Sequence, residues 1–299
     1  MMNNYTFYLT DAFTNTPLQG NPAGVVLSDD HLKTEDMQKI AEELKQSETA
    51  FIKRLDKDIY EVRFFTPVEE VDLCGHATIA TFWVKGAKGY IESIENGRKI
   101  IIQHTKAGAL PVYLDYRNNE LQKVTMEQPE VQYFGNCKNI DKLVQALGIK
   151  QEDIGIEGCE LPLEYVSTGI KDLMIPVKSK EILNNIQPNF ALMEELSKEE
   201  NFYSYHVFTG EFPLLEVYQR NFCPILGIDE ESATGTSTGA LLAYLDKAGV
   251  LKKKSIVANQ GIEMGRPSVI YASIEEIDGK EKILVGGQAT TFIEGVIDL

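Results

Sequence analysis

In two stretches of the chain, apolar and small residues fill nearly the whole circumference of a helix. Residues 75–86, GHATIATFWVKG, and 235–249, GTSTGALLAYLDKAG, each open on small residues, continue apolar and stop at glycine. A helix with so little polar face is buried on all sides, so each stretch predicts a central helix. Gly249 is suited to close the second one. Residues 35–44 differ: Met37, Ile40, Ala41 and Leu44 recur at helical spacing among charged residues, which predicts a surface helix with one buried face. Runs rich in β-branched and aromatic residues at 99–103, 269–273 and 283–285 predict strands, as do YEVRFFTP and LEVYQRNFCP. Residues 131–139, with Gly135 and Asn136, read as a connection, and 141–147 as a short helix.

The elements come twice. Shifted by 157 residues, Ser47 falls on Ser204, Phe51 on Phe208, Arg63 on Arg220, Phe65 on Phe222 and Pro67 on Pro224. A shift of 160 pairs Gly75 with Gly235, Thr78 with Thr238, Ala80 with Ala240 and Gly89 with Gly249. The shift of 157 then returns with Gln103 on Gln260, Gly108 on Gly265 and Val112 on Val269. Order is kept throughout, which predicts one fold repeated twice, too few copies for a solenoid. The expected fold class is α/β (α+β), two pseudo-symmetric halves, each a curled, mostly antiparallel sheet wrapped around a central helix. The boundary is placed near residue 125: residues 1–125 form the N-terminal half, with the C-terminal strand free to pack back on it, and 126–299 the C-terminal half.

Charge narrows the partners. The 299 residues carry 29 Lys plus Arg against 45 Asp plus Glu, a formal charge of −16. Such a surface repels phosphate backbones and anionic headgroups, so neither nucleic acid nor membrane is an expected partner. A small anion is still allowed, because local backbone dipoles act at short range. Cys74, Cys137, Cys159 and Cys223 are widely spaced, which predicts reduced thiols and no structural metal site. With no secretory signal and no long apolar run, the chain reads as cytoplasmic.

The two helix starts, Cys74-Gly75-His76 and Ala233-Thr234-Gly235-Thr236, carry the candidate chemistry. A helix N-terminus offers free N–H groups and partial positive charge, and glycine lets an anion approach them. If the halves pack about a pseudo-twofold axis, both starts can hold one carboxylate. Thr236 or Ser237 as simple caps is the structural alternative. Glu48, in QSETAFI, is the candidate proton-transfer group, and a partly apolar setting would raise its pKa. Its partner in the second copy is Tyr205. His76 could bind substrate or shuttle a proton, and Glu231 could orient a substrate group or complement a helix dipole. His31 reads as surface loop, and His104 and His206 receive no role.

DAFTNTPLQGNPAGVVL, QSETAFI, RFFTPVEEVDLCGHATIATFW and EESATGTSTGALLAYL together resemble the signature blocks of the PhzF-like phenazine-biosynthesis family. The closing GGQATTFIEGVI is similar too, so the resemblance covers nearly the whole chain. It implies the diaminopimelate-epimerase-like fold, a homodimer, and cofactor-free acid/base chemistry; metal dependence is not expected either, because no ligand cluster appears in the sequence. In the phenazine enzyme a glutamate isomerises dihydro-hydroxyanthranilate by a suprafacial proton shift. By motif that glutamate is Glu48, the helix-start histidine is His76, its neighbouring serine is Ser47, and the anion-binding turns are Gly75 and Gly235. Glu231 joins the catalytic candidates; Asn21, in the first block, and Thr236 join the substrate-binding ones.

The family's Asp-Pro-Ala-Thr-Gly-Ser is here Glu231-Ser232-Ala233-Thr234-Gly235-Thr236, so the pocket differs where substrate groups are held. The expected function is a cofactor-independent isomerase of a small carboxylate-bearing metabolite. One alternative is an inactive small-anion binder or sensor on the same fold. An amino-acid racemase or epimerase is the other, disfavoured because such enzymes pair two cysteines. Cys74 sits where one would be, but Ser232 or Ala233 occupies the matching place. No G-x-S-x-G elbow supports a serine hydrolase.

Overall fold

The computed structural model describes residues 4–28, 31–211 and 213–299. The chain forms two compact units, one running to Glu127 and also taking up Gly286–Leu299, the other Gln128–Val285. Among the described residues, no helix is long and apolar enough to cross a membrane.

In the first unit, strand Asn4–Ala12 lies between Asn21–Leu27 and the C-terminal strand Ala289–Asp298, antiparallel to both. From Asn21–Leu27 the sheet continues parallel to Thr49–Asp56, antiparallel to Ile59–Phe65 and parallel to Asn96–Thr105. Antiparallel Gly108–Arg117 and Glu120–Glu127 follow. The second unit repeats this order. Lys171–Pro176 runs parallel to Ser204–Gly210, which pairs antiparallel with Glu216–Cys223; that strand runs parallel to Ser255–Gln260, itself antiparallel to Ser268–Ile277. Two parallel crossovers at matching places in each unit make the duplication a property of topology. Residues 131–139, expected as a connection, contain an exposed strand, Gln132–Asn136, paired with Glu164–Ser167.

Both all-apolar segments are central helices, Gly75–Ala87 and Gly235–Lys247. Ala77, Ile79, Ala80, Phe82 and Val84 of the first, and Ala240, Leu241, Leu242 and Leu245 of the second, are buried. Fully burying each large aliphatic or aromatic side chain contributes about 1.5–3 kcal/mol, so these helices hold their sheets by apolar contact. Gly249 ends the second helix at φ +68, donating to Asp246 O at 3.0 Å, a conformation that favours glycine. Helix Thr34–Leu44 buries Met37, Ile40 and Ala41 against Phe51 and Phe65 on the outer face of the first sheet.

The ladders correct the sequence alignment within the halves. Thr49 lies opposite Phe65, but Tyr205 lies opposite Phe222, the counterpart of Phe65. Ser204, not Tyr205, is therefore the counterpart of Glu48. A one-residue slip turns side chains to the other face. Phe51 accordingly packs toward the outer helix, while Phe208 meets Tyr244 of the central helix at 6.0 Å between rings. Gln103 is displaced too: it faces Tyr60, whereas Val217, the counterpart of Tyr60, faces Ala258 rather than Gln260.

Other matches hold in space. Arg63 makes a two-pronged ion pair with Glu70 at 2.7 and 2.8 Å, and Arg220 does so with Glu230 at 2.8 and 2.8 Å. Each guanidinium also lies over the following aromatic ring, Phe65 at 5.2 Å and Phe222 at 4.8 Å.

Candidate active site

In the first half three sequence segments converge. Glu48 precedes strand Thr49–Asp56, and its carbonyl is fixed by the Gly24 N–H at 3.0 Å. Cys74 is the N-cap of the first central helix and His76 its second residue, so the helix start sets where both side chains emerge. His76 Nε2 lies 3.2 Å from Glu48 Oε2 and 3.2 Å from Ser47 Oγ. Its Nδ1 lies 3.5 Å from Cys74 Sγ. Glu48 Oε2 is buried and has no hydrogen-bond partner, so its contact with His76 is an ion pair without hydrogen-bond alignment. Gly75 has open space where a Cβ would stand, leaving the first backbone N–H groups of the helix approachable.

This geometry overturns the expected direction for Glu48. Burial pushes its carboxyl upward, but His76, with help from Ser47 and Cys74, prevails and holds it below the usual carboxylate range. His76 answers in kind. Burial opposes its charge, yet Cys74 and Glu48 hold the imidazole well above its usual range. The Cys74 thiol is raised, first by burial and then by the Glu48 carboxylate. These shifts favour the ionised carboxyl of Glu48, the protonated imidazole of His76 and the neutral thiol of Cys74.

Metal-type ligands do cluster here, contrary to the reading from spacing. Oxygen, sulfur and nitrogen atoms of Glu48, Cys74 and His76 lie within 4.8 Å of one another. Sequence distance hid the group, because Glu48 reaches the other two only through the sheet. Asn21 is buried at the head of its strand, opposite Ala12.

The second helix start is built differently. Its N-cap is Thr234, the counterpart of Cys74, and neither Thr236 nor Ser237 caps it. Thr238 Oγ1 donates to Thr234 O at 2.8 Å, as Thr78 Oγ1 does to Cys74 O at 2.8 Å. The place matching Cys74 thus holds Thr234, and the second helix start has no thiol there. Glu231 ends strand Ile228–Glu231, and Gly235 and Thr236 begin the helix. Thr236 O accepts from Thr168 Oγ1 at 2.8 Å.

Gln260, which the sequence reading singled out only as a repeat, holds this start together. Its Nε2 donates to Glu231 O at 2.8 Å and Thr234 Oγ1 at 3.1 Å, while its Oε1 accepts from Thr234 N at 3.1 Å. Gly261, at φ +73, brings its backbone so close to Ser232 that a Cβ would meet Ser232 O at 2.6 Å. Behind Gln260 runs a buried polar chain. Gln219 Nε2 donates to Gln260 Oε1 at 2.8 Å and its Oε1 meets His206 Nε2 at 3.1 Å; Asn221 Nδ2 reaches His206 Nδ1 at 2.9 Å and Ser204 Oγ at 2.8 Å. These partners assign the Nε2–H tautomer to a neutral His206, whose pKa burial pushes down to about 4. Asp172 completes the cluster. It is fully buried, Oδ1 accepts from Ser237 Oγ at 2.9 Å, and Oδ2 has no partner. Burial pushes its carboxyl up to about 7. No sequence spacing pointed to Asp172 or His206.

A family model described as phenazine biosynthesis-like protein (PhzC-PhzF) matches residues 10–295. An uncharacterized isomerase of Clostridium acetobutylicum is 36% identical, with all of both chains covered. The trans-2,3-dihydro-3-hydroxyanthranilate isomerase of Pseudomonas aeruginosa is 28% identical over 97% of this chain and 98% of that one. Among solved structures, the phenazine biosynthesis protein of the PhzF family from Bacillus anthracis superposes with a TM-score of 0.85 and 28% identity, covering 99% of each chain.

Proposed function

The chain belongs to the phenazine biosynthesis-like (PhzC-PhzF) family and is an isomerase of that family; from this premise we propose that Glu48 moves a proton within a small carboxylate-bearing metabolite, without a cofactor. The observation that carries the reading is the Glu48–His76 pair: a carboxylate kept ionised, with one oxygen buried and not engaged in a hydrogen bond. Such an oxygen can accept a proton from a carbon next to an unsaturated or carbonyl group. The C–H electron pair shifts into the adjoining π system, and the Glu48 carboxyl, whose acquired proton exchanges with solvent, returns a proton at another carbon on the same face. Bonds broken and formed balance, and the product is an isomer.

His76 supplies positive charge beside the reacting carboxyl, and Ser47 fixes its Nε2 edge. The open N–H groups beginning at Gly75 suit a substrate carboxylate. On the second helix start, Glu231, Gly235 and Thr236 are the proposed substrate-side residues, and Asn21 is the proposed one at the head of its strand. A cytoplasmic homodimer completes the proposal. The longer acid at Glu231 and the extra methyl at Thr236 support a substrate different from that of the phenazine enzyme.

The test is incubation of wild type and Glu48→Gln in deuterated water with a panel of cyclic and linear amino and hydroxy acids, followed by NMR. Deuterium entering next to a carboxylate with wild type alone is the expected result. Equal exchange by Glu48→Gln would sink the assignment.

A further inference from the structure

We propose that Glu48, Cys74 and His76 form a binding site for one thiophilic divalent cation of the zinc type. The donors are one carboxylate oxygen, one sulfur and one imidazole nitrogen, already gathered, and binding releases the Cys74 thiol proton and the His76 Nε2 proton to solvent. Tetrahedral coordination at Zn–N of about 2.1 Å and Zn–S of about 2.3 Å sets ligand-to-ligand edges of roughly 3.3–3.6 Å. The observed Nε2–Oε2 separation is 3.2 Å and the Sγ–Nε2 separation 4.0 Å. Side-chain adjustments of about half an ångström close that difference.

Three further features favour a cation. Glu48 Oε2 is buried 3.2 Å from His76 Nε2 without hydrogen-bond alignment, so a carboxylate oxygen and an imidazole nitrogen already stand side by side. Cys74 and His76 spring from the cap and second residue of one helix, which fixes two ligands on a rigid element. The net charge of −16 raises the local concentration of cations. The donor set also selects among them. A thiolate and an imidazole suit zinc and cobalt, whereas magnesium and calcium want oxygen alone. Three protein ligands leave a fourth position open to solvent or a small anion.

Occupancy would consume the carboxylate oxygen and imidazole edge that the proposed proton transfer uses. Cation and proton transfer are thus mutually exclusive, and the site is a point of inhibition, not a requirement for activity. That consequence rests on the proposed function; the binding itself does not.

Cobalt(II) added to protein freed of metal by chelator separates the two. The expected spectrum has a near-ultraviolet thiolate-to-cobalt band and visible bands of tetrahedral intensity, saturating at one ion per chain. Zinc should abolish both. Cys74→Ser should lose the near-ultraviolet band, and Glu48→Gln should keep it with at least about tenfold weaker cobalt binding. Cys159→Ser, altering the half-exposed thiol, should match wild type. Absence of the charge-transfer band in wild type, or its persistence in Cys74→Ser, would overturn the proposal. Each variant's far-ultraviolet circular dichroism confirms folding, and His76→Gln gives a second ligand deletion expected to weaken binding.

Discussion

Glu48 Oε2 and His76 Nε2 meet at 3.2 Å, joining residues 28 positions apart in the sequence (76 − 48) into one charged pair. The pair sets the expected pH dependence of proton exchange. Glu48 is held low and His76 high, so the ionised carboxylate and protonated imidazole coexist between them. Activity should rise as pH climbs through a value below the ordinary carboxylate range. It should fall only well above the ordinary imidazole range. His76→Gln should move the acid limb upward, because the carboxylate loses its cation. Initial deuterium-exchange rates across pH measure this, and an acid limb unmoved by His76→Gln would contradict it.

Asp172 predicts a stability signature. Its folded value of about 7 lies above the ordinary 3.8, so the folded state holds this proton more tightly. Stability from this group is present below about 4 and is lost as pH rises to about 7. His206 slopes the other way between about 4 and 6.5, since its folded value is lowered. The difference between Asp172→Asn and wild type isolates the first effect. That difference should shift in favour of the variant from pH 4 to 7 and level off above, as read by urea denaturation at each pH.

Lys85 is 8% exposed and sits over the rings of Tyr60 and Tyr90, at 5.2 and 4.6 Å. Burial pushes its amine down to about 8 from 10.5. At pH 7 the charge is carried at a cost, and Lys85→Met keeps the packing without it. The variant should be more stable than wild type by about 1–2 kcal/mol at pH 7. The gap should narrow from pH 8 toward 10.5, because wild type gains stability as the unfolded chain alone stays protonated. Thermal denaturation at pH 7 and 10 checks both statements.

Two glutamines separate packing from hydrogen bonding. Gln260 satisfies Thr234 N–H and Glu231 C=O, whereas Gln103 is fully buried with neither amide atom partnered. Gln260→Leu should cost about 2–3 kcal/mol by stranding those groups. Gln103→Leu should be neutral or stabilise by about 1 kcal/mol, since a buried unpaired amide is itself a cost. Equal destabilisation by both, read by urea denaturation, would contradict an unpartnered Gln103 amide.

Much was legible before any coordinates. The two central helices and the surface helix followed from local apolar pattern and glycine stops, which act over a few residues, and the duplication from identities that keep their order at a nearly constant shift. The family followed from motif blocks, and with it Glu48 and His76 as candidate site residues. The tertiary structure decided what depends on register and convergence. A one-residue ladder offset makes Ser204, not Tyr205, the counterpart of Glu48, and a linear alignment scores identities without knowing which face a strand turns. The direction of the Glu48 shift depended on a cation 3.2 Å away, which outweighs burial only because the fold closes that distance. Cys74 joined the site, and Asp172 and His206 became a buried polar chain, for the same reason. Local pattern determines which elements form, and only their packing brings distant polar atoms within a few ångströms, where Coulomb and hydrogen-bond energies become large.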